Sequence, residues 1–276
     1  MLLGNEPLDL QLTLIDSAQC FRWESHDGRY GCALDGEPVW LWRDADGVHA
    51  EGGADRARLR HYLDMDRDYA ALAAEYEHIP EAARAFGLYP GLRVMNQPAW
   101  EALICFILSA NNNVARIRSL TAALCRRYGH PVGGLFSFPT PEALAAANED
   151  ALRALRVGYR ARYLIGAARR VCEGFPIDAL KTMPYDEAHA LLTTLPGVGD
   201  KVADCALLFG CRHAEAFPVD VWVARLLADW FGVRCKSRAA MAREARERLG
   251  LHAGLMQQFL FHAARTGGLP LGERDP

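Results

Sequence analysis

Leu195-Pro196-Gly197-Val198-Gly199-Asp200-Lys201-Val202-Ala203-Asp204-Cys205 is the most informative stretch of this chain. Its Pro-Gly-Val-Gly turn separates two segments of helical apolar spacing, about 185–195 and 200–210. That spacing predicts two helices joined by a short hairpin. The glycines allow main-chain N–H groups at the turn to approach a phosphate closely. Lys201 falls just inside the second helix and is one of three lysines in a chain with 28 arginines. A guanidinium keeps its proton, whereas an amine can give it up and act as a nucleophile. Cys205 follows four residues later, on the same helical face.

Nineteen residues after the lysine comes Phe217-Pro218-Val219-Asp220, a carboxylate at an expected helix start. A helix over 200–210 is about 15 Å long, and the seven residues 211–217 reach at most about 25 Å. The chain can therefore double back and set Asp220 beside the hairpin, at a helix N-terminus that favours its ionised form. On the expected terminal helix, Gln257 and Phe261 are again four apart. Gln257 can read the hydrogen-bonding edge of a base, and Phe261 can stack on its face. Ser109-Ala110-Asn111-Asn112-Asn113 ends an apolar helix and offers three amides to base edges. Gly158-Tyr159-Arg160-Ala161-Arg162-Tyr163 sets an aromatic wedge beside guanidinium groups.

These residue types suit one chemistry. Removing a base from DNA requires the nucleotide to be extruded and the gap filled. Breaking the glycosidic bond builds positive charge on the sugar, which a carboxylate stabilises. An amine attacking C1′ forms a Schiff base and opens a route to strand cleavage. Taken singly, each feature has a plain structural use: a solvated lysine, an N-cap aspartate, asparagines that end and begin helices. Their joint occurrence in one order is what points to chemistry.

Bulk properties agree with a DNA-directed protein once the chain is divided. The net charge is −3. Residues 1–101 carry 9 Arg and 18 Asp or Glu, while residues 102–276 carry 22 Lys or Arg and 16 acids. No acid occurs between Glu101 and Glu142, where Arg116, Arg118, Arg126 and Arg127 are found. A limited cationic footprint suits contact with phosphate. The length and the 51% hydrophobic content supply a substantial core. No secretory leader and no apolar run of membrane-spanning length is read, so a soluble chain is expected. The eight cysteines form no Cys-x-x-Cys, and we expect reduced, mostly buried thiols and no metal site.

Residues 8–51 alternate at period two and are broken by Asp-Gly at 27–28, 35–36 and 46–47. This predicts an antiparallel meander over about 8–15, 19–25, 29–34, 38–43 and 47–51. Beyond Gly53 the spacing is helical, with helices expected at about 54–64, 67–78, 98–110, 114–128, 140–147, 149–156, 160–173, 185–195, 200–210, 220–231, 238–249 and 253–265. The fold class is α+β: an N-terminal antiparallel sheet domain, 1–95, packed on a mostly helical two-lobed body, 96–276, that contains the helix-hairpin-helix at about 185–210.

Six segments in order resemble the 8-oxoguanine DNA glycosylase family of the helix-hairpin-helix glycosylase superfamily. They are Gln19 to Trp23, Ser109 to Arg116, Gly158 to Tyr163, Leu195 to Cys205, Pro218 to Asp220, and Gln257 to Phe261. The resemblance implies that Lys201 is the Schiff-base nucleophile and Asp220 the catalytic carboxylate. It implies that Asn111, Arg116 and Arg160 contact the cytosine left unpaired, and that Tyr159 wedges into the duplex. Phe261 and Cys205 would sandwich the extruded purine, with Gln257 on its Watson–Crick edge. Gly197, Val198 and Gly199 would hold backbone phosphate, with a monovalent cation on the hairpin carbonyls and no required cofactor. The implied partner is double-stranded DNA carrying oxidised guanine, bound by a monomer. The expected location is the cytoplasm with the nucleoid in a bacterium, or the nucleus in a eukaryote.

Two positions depart from the family pattern. Ala18 stands where the family often has Gly, whose carbonyl accepts the N7 hydrogen that marks 8-oxoguanine. Trp222 stands where a His is common, so any phosphate contact there changes. The alternatives are a monofunctional glycosylase for alkylated bases, against which Lys201 argues, and a non-catalytic hairpin module that only grips DNA. A pyrimidine-specific relative with a cysteine-ligated cluster is disfavoured by the cysteine spacing.

Overall fold

The computed structural model of the chain describes residues 1–272. Five strands form one antiparallel sheet: β1 (Leu2–Gly4), β2 (Glu24–His26), β3 (Arg29–Leu34), β4 (Glu37–Asp44) and β5 (Gly47–Gly52), in the order β1-β5-β4-β3-β2. Asp27-Gly28 and Asp35-Gly36 make the hairpins, all four residues having positive φ, as a two-residue turn that follows the sheet twist requires. Register pairs Tyr30 with Leu41, Cys32 with Val39, and Leu41 with Ala50, so these side chains share the buried face. They pack with Leu3, Leu14, Trp23, Tyr62 and Met95.

The helices follow in chain order: α1 (Arg56–Tyr62), α2 (Tyr69–Glu75), α3 (Pro80–Leu88), α4 (Ala99–Ser109) and α5 (Val114–Tyr128). After a small hairpin, β6 (Pro131–Val132) and β7 (Leu135–Phe136), come α6 (Pro141–Ala145), α7 (Glu149–Ala154) and α8 (Ala161–Cys172). The last five are α9 (Tyr185–Leu192), α10 (Asp200–Cys211), α11 (Val221–Phe231), α12 (Arg238–Leu249) and α13 (Ala253–Thr266). The architecture is α+β, a sheet followed by a mostly helical body. No helix among the described residues is long and apolar enough to cross a membrane. All eight cysteines are free thiols, six of them buried.

The expected first strand is absent. Leu8, Leu10, Leu12 and Leu14 alternate as in a strand, yet Gln11–Asp16 is a π-helical turn that ends with Ser17 N donating to Leu12 O at 2.9 Å. Leu10 and Leu14 are four apart and both buried, so the alternating run satisfies a helical turn equally well. The sheet edge is formed by Leu2–Gly4 instead. Of the expected strand 19–25 only Glu24–His26 pairs. Residues 19–23 turn inward because Cys20, Phe21 and Trp23 are buried in two different cores. Helix α3 lies outside the helices expected from the periodicity, although Pro80 sits at its start, where a missing N–H costs nothing.

A second core fills the helical body, and residues 69–94 contribute to it: Phe86 lies 4.2 Å centroid to centroid from Phe259 of α13. The sheet is fastened to α4 by a buried ion pair. Arg22 Nε and Nη2 donate to Glu101 at 2.8 and 2.7 Å, and Arg22 Nη1 donates to Ala33 O. Helix α4 packs along α10 through stacked Phe106 and Phe209. That contact brings the end of α4, at Ser109, against the start of α10, at Lys201.

Candidate active site

A cavity of about 410 Å³ opens where α4, α10, α11 and α13 converge with the turn after Gln11–Asp16. Lys201, Asp220, Cys205, Gln257, Phe261, Ala18 and Asn111 all line it. Residues as far apart in the chain as Ala18 and Phe261 thus face one hollow, within the roughly 300–1,000 Å³ typical of ligand sites.

Lys201 is half-buried in the first turn of α10. Its Nζ donates to Ser109 Oγ at 2.9 Å and lies 5.1 Å from the centroid of the Phe106 ring. Ser109 Oγ in turn donates to Phe106 O at 2.7 Å. The serine proton is thereby committed to a carbonyl, and the serine acts toward the lysine only as an acceptor. Asp220 is the N-cap of α11: one carboxylate oxygen accepts from Trp222 N and Val223 N, each at 2.9 Å. The cap fixes the carboxylate, and its second oxygen has no partner among the described residues. Burial pushes the Cys205 thiol up to about 12 against the pull of neighbouring Lys201, so it faces the cavity as a neutral thiol.

On α13, Gln257 is buried and its Oε1 has no hydrogen-bond partner. An unpaired buried amide oxygen at a cavity wall is costly in a closed protein and useful to an incoming donor. Phe261 is half-buried on the same face, one turn later. Ala18 has φ of +61°, a left-handed conformation that an alanine adopts against steric resistance. The backbone keeps the glycine-like geometry despite the added methyl.

The residues expected to meet a duplex also converge, with Arg160 itself buried. Asn111 Nδ2 donates to Tyr159 Oη at 3.3 Å. Arg160 Nε donates to Ala110 O at 2.9 Å, and its Nη2 donates to the same oxygen. Arg116 Nη2 donates to Arg156 O at 2.9 Å. These bonds lace the 110–116 segment to the 156–160 segment. Tyr159 is 42% exposed and sits edge-on to Tyr163, a protruding ring with a rigid base.

The expectation of three amides for base edges is corrected. Asn113 caps α5 through Arg116 N at 2.9 Å, and Asn112 Nδ2 donates to Leu108 O at 2.7 Å at the end of α4. Asn111, exposed and at φ +52°, makes no such helix-end bond and reaches Tyr159 instead. In the hairpin, Gly197 has φ of +79°, and a Cβ there would lie 2.5 Å from the Tyr163 ring. Val198 is buried with its N–H on Leu195 O. A Cβ at Gly199 would meet nothing, so the space before the first turn of α10 is open.

Sequence reasoning assigned no role to Ser109, Phe106, Gln258 or Arg238, all of which line the cavity. In the sequence Ser109 is only the end of an apolar helix, and its bond to Lys201 spans 92 positions. Arg238 opens α12 in a stretch without acids from Trp230 to Arg243, a charge signal available from the sequence.

Residues 104–250 match the family described as HhH-GPD superfamily base excision DNA repair protein. Residues 1–103 match the 8-oxoguanine DNA glycosylase N-terminal domain. The chain belongs to the 8-oxoguanine DNA glycosylase family. Among relatives of this glycosylase family, a probable N-glycosylase/DNA lyase of Methanothermobacter thermautotrophicus is 36% identical over 203 residues, 65% of each chain. The N-glycosylase/DNA lyase of Saccharomyces cerevisiae is 37% identical over 153 residues, 49% of this chain and 41% of the yeast protein. The matches thus span less than two thirds of those curated relatives' lengths. The structure of Clostridium acetobutylicum 8-oxoguanine glycosylase/lyase, in complex with double-stranded DNA containing cytosine opposite 8-oxoG, superposes with a TM-score of 0.89 at 28% identity. It covers 96% of this chain and 94% of that one.

Proposed function

We propose that this protein is a bifunctional DNA glycosylase/lyase that extrudes 8-oxoguanine from opposite cytosine, excises it, and cleaves the abasic strand through Lys201. The observation that carries the reading is that Lys201 and Asp220 line one cavity with Ala18, Gln257, Cys205 and Phe261. In the reaction, neutral Nζ forms a bond to C1′ while the C1′–N9 bond breaks and its electron pair leaves with the purine. A proton lost from the amine balances the one gained by the base. Asp220 steadies the positive charge that develops on the sugar. Opening of the sugar ring, with O4′ taking a proton, leaves Lys201 joined to C1′ as a protonated Schiff base. Loss of a C2′ proton then expels the 3′ phosphate.

The pocket residues supply selection. Among the described residues no hydrogen bond ends on the carbonyl of Ala18, leaving it able to accept the N7 hydrogen that guanine lacks. Gln257 meets the Watson–Crick edge, and Phe261 with the neutral Cys205 thiol holds the two faces of the purine. Asn111, Arg116 and Arg160 serve the estranged cytosine, and Tyr159 fills the stack. For Arg160 this requires sharing or exchanging its bond to Ala110. The open N-terminal turn of α10 accepts a backbone phosphate, the hairpin carbonyls hold a monovalent cation, and the protein acts as a monomer, with the nucleoid or the nucleus as its place of work.

Borohydride reduction on a duplex with 8-oxoguanine opposite cytosine should trap a covalent protein–DNA adduct. Lys201→Gln should abolish it. An adduct that forms equally in the variant would remove the nucleophile from position 201.

A further inference from the structure

The segment Thr13 to Gln19 is held almost atom by atom, and one of its carbonyls stands apart. Thr13 O accepts from Ser17 Oγ and Gln19 Nε2 at 2.8 and 3.2 Å, and Leu14 O from Cys20 Sγ at 3.2 Å. Ile15 O accepts from Arg118 and Asp16 O from Arg265. Ser17 O accepts from Gln258 Nε2 at 2.8 Å, and Gln19 O from Gln97 Nε2 at 2.8 Å. Only the carbonyl of Ala18 has no partner among the described residues, and Ala18 lines the cavity. Gln19 anchors the far side of the residue: its Nε2 also donates to Arg93 O at 2.7 Å, and its Oε1 accepts from Met95 N at 2.7 Å.

We propose that Gln258 is a specificity-positioning residue: by gripping Ser17 O from α13 it aims the Ala18 carbonyl into the base pocket. The inference rests on the function proposed above. Ala18 pays a steric cost for φ +61°, and an alanine released from constraint would relax toward negative φ, swinging its peptide planes. A glycine needs no such restraint, whereas an alanine does. Gln258 supplies it from the residue adjoining Gln257, so the reader of the Watson–Crick edge and the brace behind Ala18 ride on one helix. Because Ser17 O can only accept, the amide nitrogen of Gln258 must face it, and that contact is 2% exposed on the Gln258 side.

The test separates recognition of the base from chemistry on the sugar. Gln258→Met removes the donor at similar volume, and Gln258→Asn withdraws it by one methylene. Single-turnover excision is measured on duplexes carrying 8-oxoguanine or guanine opposite cytosine, beside cleavage of a preformed abasic site. The Met variant should lose about tenfold of its preference for 8-oxoguanine, the scale of one hydrogen bond, with abasic cleavage within twofold of the unaltered protein. Gln258→Asn should lose less, in the same direction, and serves if Met prevents folding. An unchanged preference overturns the proposal, as does a parallel fall in excision and abasic cleavage, which marks a merely structural bond. Failure of the unaltered protein to release 8-oxoguanine overturns the underlying function instead.

Discussion

Ser109 gives its proton to Phe106 O and accepts from Lys201 Nζ, which leaves the electron pair of a neutral amine directed away from the serine. Replacement by alanine removes one neutral hydrogen bond, worth about 1 kcal/mol. Ser109→Ala should lower the single-turnover rate several-fold with little change in substrate affinity, measured by burst kinetics and titration of the damaged duplex. A change confined to affinity would place the serine in binding instead. Asp220 is both cap and carboxylate, and the two duties can be separated. Asn caps a helix about as well as Asp, so Asp220→Asn should keep the melting temperature while excision slows on the order of 100-fold, the scale of one lost electrostatic contact to a transition state. Lys201, Asp220 and Gln257 were readable from spacing because each sits on, or caps, a helix whose start the sequence makes plain. Ser109 and Gln258 were not, since their partners lie 92 and 241 positions away and no local pattern announces them.

Helix α4 is the strut between the sheet and Lys201. It begins near Glu101, paired with Arg22 while both side chains are nearly excluded from water, and ends at Ser109. Deleting one charge of a buried pair costs about 3–5 kcal/mol because the other is stranded. Glu101→Gln should therefore destabilise the fold by about that amount in denaturant melts, and a loss below 1 kcal/mol would show the pair to be dispensable. The helices were largely evident from apolar periodicity, proline starts and glycine stops. The first strand was misread because a Leu-x-Leu-x-Leu run satisfies a strand face and a buried helical turn alike, and only the tertiary partner chooses. That partner is β5, which pairs with Leu2–Gly4 and leaves residues 11–16 free to coil.

Across the molecule, two buried groups oppose each other in their response to pH. Burial raises the Asp204 carboxyl to about 6, although Tyr185 Oη donates to it at 2.5 Å and His189 and Arg246 add favourable charge. Between pH 4 and 6 the folded state holds this proton and the unfolded chain does not, so stability falls as pH rises. Burial, aided by Arg265, lowers His262 to about 4. Over the same interval the unfolded chain binds a proton that the folded state refuses, so stability rises with pH. Each slope is about 1.4 kcal/mol per pH unit, of opposite sign. Asp204→Asn keeps an acceptor for Tyr185 and removes one slope. The variant should therefore lose more stability than the unaltered protein on acidification from pH 6 to 4. Thermal melts of both proteins at four pH values in that interval check it, and equal losses in the two would disprove the opposition.

The close approach of Gly197 to Tyr163 has a mechanical meaning. The hairpin turn leans its bare backbone on that ring, and the same ring supports Tyr159 edge-on. Anchor and crowbar are thus one solid piece with no joint between them. Whatever docks on the turn meets the protruding tyrosine at a preset height, so under the proposed function gripping a strand and prying at its stack become a single stroke.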